Sequence, residues 1–293
     1  MPLCTKKCGK PLRKIPQAGA GNCRGSAAEG AVSAQTGQDV RAILGDRMEL
    51  DALGWTFAVI AAMAVGLSKG GLPVISGIAV PLMAQVMSPV QAAGLLLPVY
   101  IVSDMVGLWA YRREFNRRVL AIVAPAALIG IGFGWATAHI VPESAVSILV
   151  GLIGAVFALN AIFRKPVVAE PRLPQVGKGI FWGALSGFTS FVSHSGGPPW
   201  QVYALPLGMT KAVFAGTSTV LFAFINLAKL PPYFFLGQVN FGSLEIAAVL
   251  MLPAALAVLI GVWAVRVIPQ VLFFRIVIWA LLLISLRLIW TAI

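Results

Sequence analysis

The sequence predicts an all-α protein that crosses a membrane many times and consists of two homologous halves. Three observations lead to this prediction. Of the 293 residues, 59% are hydrophobic and only 11% are charged, about half the charged fraction of a soluble protein. Uncharged stretches as long as a membrane-spanning helix recur along the chain. Two of these stretches, at 66–83 and 191–208, are broken by a Gly-Gly pair and prolines.

Ten apolar elements follow one another, five in each half. The first half contains runs at 52–68, 71–88, 90–110, 119–138 and 145–163. The second half contains runs at 179–195, 197–210, 212–230, 244–264 and 271–290. Because a bilayer is crossed by about 17–25 apolar residues, these runs predict about eight to ten transmembrane helices.

The two halves match in detail. The segment PAALIGIGFGWA (125–136) aligns with PAALAVLIGVWA (253–264), sharing proline and tryptophan at equal spacing. The broken segments also fall at matching places, and Asp104 falls opposite Asn226. Since each half has an odd number of elements, the pattern predicts an inverted repeat, an arrangement common in secondary transporters.

The chain divides into a tail, two membrane repeats and a linker. Residues 1–47 form a basic, Gly- and Ala-rich tail that holds all three cysteines; it has no periodic apolar face, so we expect disorder. Met48 is our hypothesis for the natural start. The first repeat is 48–163, the linker 164–178 and the second repeat 179–293.

Positive charge outside the tail is concentrated in two short loops, 111–118 and 164–178. Basic loops between apolar helices are typical of the cytoplasmic side of a membrane, which explains the charge without nucleic acid. If all ten elements cross, the loop 231–243 lies outside and Arg266 inside. An alternative with eight crossings, in which the broken segments lie partly in the membrane, is also consistent with the pattern.

The two breaks predict half-sites for a small anion. A helix interrupted within lipid must have its freed backbone groups satisfied by protein or by a water-filled cavity. A helix that begins after a break points partly positive amides at that place. Ser193 lies beside the second break, and the predicted binding residues are Ser68, Lys69, Gly70, Gly71, His194, Ser195, Gly196, Gly197, Thr217 and Ser218.

Each of these polar residues also has a structural interpretation. In the structural interpretation, Lys69 extends to the membrane interface instead of contacting an anion. His194 is then a packing residue. The hydroxyls of Thr217 and Ser218 would then donate hydrogen bonds to the preceding helical turn. Asp104 lies within an apolar run, where a carboxylate is energetically costly. Its position predicts one of two roles: proton coupling, or a structural contact with Lys69 or a neighbouring helix.

Two further charges, Lys229 and Glu245, lie near predicted helix ends. We therefore expect both of them at the membrane interface.

These motifs resemble the sulfite exporter TauE/SafE family of membrane permeases. The resemblance covers about 52–290, with the glycine-rich motifs at 68–73 and 194–199 and Gly-Thr-Ser at 216–218. It implies transport of sulfite, sulfonates or related organosulfur anions. The first half departs from the family pattern at 93–97, where it reads AGLLL.

The functional prediction is a permease of the cytoplasmic membrane that moves a small anion, most simply sulfite or an organosulfonate, by alternating access. The alternatives are a passive anion channel and a permease for an organic anion without sulfur. We expect no enzymatic activity, cofactor or metal, and no phosphate-binding loop occurs in the sequence. The expected partners are the bilayer and the anion, and a homodimer is compatible with the pattern.

Overall fold

The computed structural model describes residues 50–72, 75–87, 89–137, 140–163, 172–235 and 244–293. The predictions for the tail 1–47, for Met48 and for most of the loops 164–178 and 231–243 lie outside the described residues.

The first half forms five α-helices and one 3₁₀ turn. In chain order these are α1 (Ala52–Lys69), a 3₁₀ turn (Ile75–Ile78), α2 (Ala79–Met83), α3 (Pro89–Ala110), α4 (Arg117–Thr137) and α5 (Glu143–Phe163). Asp51 begins α1 by accepting a hydrogen bond from Gly54 N at 2.7 Å, a side-chain cap that favours helix initiation.

The second half has the same order of elements. It comprises α6 (Val176–Ser193), α7 (Gly197–Ala204), a 3₁₀ turn (Leu205–Leu207), α8 (Lys211–Phe235), α9 (Leu244–Val267) and α10 (Gln270–Ala292). The described part of the chain contains no strand, so the predicted all-α class is confirmed.

Six described helices are long and apolar enough to cross a membrane, which makes the chain a multi-pass membrane protein. These spans are Ala52–Lys69, Arg117–Thr137, Glu143–Phe163, Lys211–Tyr233, Leu244–Val267 and Gln270–Ala292. Large apolar side chains cover their outer surfaces; Ile129 is 69% exposed and Leu252 is 68% exposed. Such helices, apolar on their outward as well as their inward sides, suit a lipid environment.

Both predicted breaks are present. Helix α1 ends at Gly70, and Gly71 adopts a φ of +115°, a conformation that glycine reaches without steric cost. Helix α6 ends at His194, which adopts a left-handed φ of +52° and donates its backbone N–H to Thr189 O. The chain therefore reverses after each of these two helices.

The second break lies at the tip of a re-entrant hairpin. Arg172 N, just before α6, donates to Leu207 O at 3.0 Å, just after α7. The outer ends of α6 and α7 therefore lie side by side. Helix α7 has eight residues, about 12 Å of helix, against a hydrocarbon core of about 30 Å.

A related hairpin forms in the first half, where the five-residue α2 packs back along α1. Ala79 and Met83 share one apolar cluster with Ala58 and Ala62. The sequence left ten and eight crossings open, and α2 and α7 are too short to cross. Among the described residues, eight long helices and two short return segments agree with the alternative of eight crossings.

Packing pairs corresponding elements across the halves. Helix α1 packs on α9 and α6 packs on α4, while α3 contacts α8 and α5 contacts α10. Glycines permit the close crossings: a Cβ at Gly66 would collide with the carbonyl of Ala254, and one at Gly187 with the carbonyl of Ala127. The two-fold relation between the halves remains a prediction from the sequence.

Candidate anion site

A cavity of about 60 Å³ lies between the two breaks. Seven of the polar or glycine residues predicted from the sequence line it: Ser68, Lys69, His194, Gly196, Gly197, Ser218 and Asn226. One water needs roughly 10–15 Å³ of such volume, so the cavity has room for an ion the size of a few waters. The structure thus brings the tips of both hairpins to one place.

Lys69, which lines this cavity, forms a buried ion pair with Asp104. Lys69 Nζ lies 2.7 Å from Asp104 Oδ1, and Asn226 Nδ2 donates to Asp104 Oδ2 at 2.8 Å. Lys69 is only 5% exposed, so it does not extend to the membrane interface. Of the two roles that the sequence analysis gave for Asp104, the structure contains the contact with Lys69.

Lys229 is a second buried cation in the cavity. It is 3% exposed, so the expectation that it lies at the membrane interface is wrong. Its ammonium donates to Ser190 O at 3.0 Å and to Ser190 Oγ at 3.1 Å. Among the described residues, no carboxylate lies within ion-pair distance of Lys229.

One face of α8 supplies much of the cavity wall. Ser218, Phe222, Asn226 and Lys229 line it at successive spacings of four, four and three residues, which place them on one side of a helix, and Thr219 lines it beside Ser218. This helical spacing could have assigned Lys229 to the cavity from the sequence alone. Lys229 lies near the end of the apolar run, however, and lysines at such ends commonly extend to water, which favoured an interfacial position.

The first break satisfies its own backbone groups. Gly70 N donates to Gly66 O at 2.9 Å and Gly71 N donates to Ser68 O at 3.3 Å. Outside the helix, Tyr111 OH donates to Gly70 O at 2.6 Å and Thr219 Oγ1 donates to Lys69 O at 3.0 Å. The amides of Gly70 and Gly71 are therefore engaged within the protein, and neither glycine lines the cavity.

The second break leaves one helix N-terminus facing the cavity. Trp200 N donates to Gly196 O at 3.4 Å, and Pro198 and Pro199 have no N–H to offer. Ser186 Oγ donates a hydrogen bond to Gly196 O at 2.7 Å. Gly197, which lines the cavity and opens α7, is therefore the first-turn residue whose amide suits an anion there.

Most hydroxyls of the predicted site donate to backbone carbonyls. Thr217 Oγ1 donates to Val213 O and Ser218 Oγ to Phe214 O, the helical back-bonding that the sequence offered as an alternative. Ser68 Oγ donates to Val65 O at 2.7 Å and Ser195 Oγ to Ser193 O at 2.8 Å. These hydroxyls shape the breaks, whereas the two lysines carry the charge of the cavity.

Neither serine at the second break donates to the neighbouring imidazole. Ser193 Oγ donates to Thr189 O at 3.1 Å, and His194 Nε2 instead contacts Tyr233 OH at 3.2 Å. Among the described residues, no group of three His, Cys, Asp or Glu side chains could hold a metal ion.

A larger cavity of about 160 Å³ adjoins the central one. The two cavities share Tyr100, His194 and Gly197, so these residues stand between them. The larger cavity also contacts Glu143, at the start of α5, and Arg287, near the end of α10. It therefore leads from the central cavity toward the end of the bundle opposite to loop 111–118.

Comparison with known proteins gives one match. The sequence model of the sulfite exporter TauE/SafE family matches residues 57–288, which covers both breaks and all the residues that line the central cavity. No curated protein and no solved structure shows significant similarity to the chain.

Proposed function

The chain belongs to the sulfite exporter TauE/SafE family, and from this premise we propose that it carries sulfite or an organosulfonate across the cytoplasmic membrane by alternating access. The family implies a membrane transporter of sulfur anions. The proposal adds the binding place, which is the cavity between the two breaks.

The charge of the cavity is the observation that carries the proposal. Its wall contains two lysines, and the nearest carboxylate, Asp104, is paired with one of them. Lys229 has only neutral hydrogen-bond partners among the described residues. A buried ammonium without a counter-ion is energetically costly, so an anion that enters the cavity and pairs with Lys229 relieves that cost.

Sulfur oxyanions fit the donors that remain. Each lysine ammonium has three N–H donors, and one of those on Lys69 is directed at Asp104. Asn226 Nδ2 has a second hydrogen, and Gly197 can donate its amide at the start of α7. The several acceptor oxygens of a sulfite or sulfonate group can take hydrogen bonds from donors on both hairpins at once.

Alternating access is supported by the seal on one side of the cavity. Tyr111, Thr219 and Asn116 form a layer of hydrogen bonds around the end of α1, including Asn116 N to Thr217 Oγ1 at 2.9 Å. The larger cavity opens toward the other side. A carrier with one closed side agrees with this arrangement better than a continuous channel.

The test is transport by purified protein in proteoliposomes, measured with radiolabelled sulfite and methanesulfonate. The wild-type protein should show saturable uptake and counterflow, and Lys229→Met should lower uptake to near background. The matched control is Lys178→Met, which removes an exposed lysine outside both cavities. Unaltered uptake by Lys229→Met, or flux without saturation, would contradict the proposal.

A further inference from the structure

We propose that Asp104 sets the charge of the anion that the cavity accepts, so that the protein selects monoanions over dianions. This inference rests on the proposed function, because it concerns the substrate class of the same cavity.

The position of Asp104 separates it from the ligand. Its partners Lys69 and Asn226 line the cavity, while Asp104 itself lies behind them and is 1% exposed. Both of its carboxylate oxygens are directed at these partners, at 2.7 and 2.8 Å. Asp104 thus acts on a bound anion through Lys69 and through its charge, and we assign it a positioning role.

The charges of the central site sum to one positive unit. With all three side chains in their ionised forms, Lys69 and Lys229 contribute two positive charges and Asp104 contributes one negative charge. Glu143 belongs to the outer part of the neighbouring cavity and does not line the central one. One monoanion therefore makes the site neutral, with Lys229 as its main counter-ion.

A dianion would leave the same site with a net negative charge. Within a protein interior such an excess charge is strongly unfavourable, because little solvent screens it. Without the carboxylate, the site would hold two positive charges and a dianion would then balance it. Selectivity for ligand charge should therefore reverse when Asp104 is neutralised.

The experiment compares the wild-type protein with Asp104→Asn, an isosteric change that keeps an acceptor for the Asn226 amide. Methanesulfonate is the monoanion probe and sulfate the dianion probe, both measured as inhibitors of labelled methanesulfonate uptake at one fixed pH. We expect the ratio of the two inhibition constants to shift toward sulfate by about tenfold or more.

Two control variants separate charge from structure. Glu245→Gln removes an exposed carboxylate that lines neither cavity and should keep the wild-type ratio. The double variant Lys69→Met/Asp104→Asn removes one charge of each sign, so its ratio should return toward that of the wild type. A merely structural role of Asp104 would not produce this return.

The outcomes are distinct. A shifted ratio in Asp104→Asn with recovery in the double variant supports the inference. An unchanged ratio in an active Asp104→Asn protein overturns it and leaves the proposed function intact. Transport of neither sulfite nor methanesulfonate by the wild type would instead refute the proposed function, and the inference with it.

The wild-type protein supplies a test for the case in which Asp104→Asn does not reach the membrane. Unlabelled methanesulfonate should inhibit the uptake of labelled methanesulfonate at a much lower concentration than sulfate does, because one negative charge balances the site and two do not. Equal inhibition constants for the two anions in the wild type would overturn the inference.

Discussion

Lys69 and Asp104 depend on each other because both charges are buried. Each is at most 5% exposed, and their side chains meet at 2.7 Å. Breaking such a pair leaves an uncompensated charge in a poorly solvated place, whereas removing both charges avoids that penalty. The effect of a substitution here therefore depends on what remains at the other position.

We expect Lys69→Met to destabilise the protein by about 3–5 kcal/mol, the usual cost of leaving a buried charge unpaired. The double variant Lys69→Met/Asp104→Asn should recover most of that loss. Thermal unfolding of the purified proteins in detergent measures both effects. A Lys69→Met protein that unfolds at the wild-type temperature would show that Asp104 has another partner.

At this scale the sequence predicted part of the site. Lys69, Asp104 and Asn226 are unusual polar residues in apolar runs, and the matched positions of Asp104 and Asn226 indicated that both halves keep a polar group at this depth. The hydrogen-bond partners could not be predicted, because they depend on which carbonyls a break leaves free. For this reason the engaged amides of Gly70 and Gly71 became clear only from the structure.

Among the elements, the second hairpin joins fold and function most directly. Helix α7 is too short to cross the bilayer, so it returns the chain after the break and presents Gly197 to both cavities. A Cβ added at Gly197 would contact only Gln201 Nε2, at 3.8 Å. In contrast, Gly187 on α6 lies against the backbone of α4.

Two glycine substitutions should therefore affect different properties of the protein, one its transport activity and the other its folding. Gly197→Leu should abolish anion transport by filling the cavity, while the amount of protein in the membrane stays close to that of the wild type. Gly187→Leu should reduce the amount of folded protein, since overpacking costs about 1–3 kcal/mol or more. Quantitative immunoblotting and uptake assays distinguish the two, and normal transport by Gly197→Leu would count against the site.

Most of the fold was predictable at the element scale. The apolar runs gave nearly all the helices, and the breaks fall after Lys69 and around His194 as the glycines indicated. The sequence could not separate crossing from re-entrant elements with certainty. Apolar residues line a short return segment as readily as a spanning helix, and only contacts such as Arg172 to Leu207 show that the chain turns back.

For the whole molecule, two hairpins meet at a cavity enclosed by helices of both halves. The first helix of each half packs on the fourth helix of the other, so neither half forms the cavity alone. Movement of one hairpin against the helices of the other half would alter access to the cavity. The central claim is that the anion binds at this meeting point.

The most direct measurement is a crystal structure with 2-bromoethanesulfonate, in which the anomalous signal of bromine locates the anion. The account predicts a peak in the central cavity, with the sulfonate oxygens within hydrogen-bond distance of Lys229 Nζ. An anion bound only at the exposed groove beside Arg172 and Lys178, in crystals of a transport-competent protein, would contradict it.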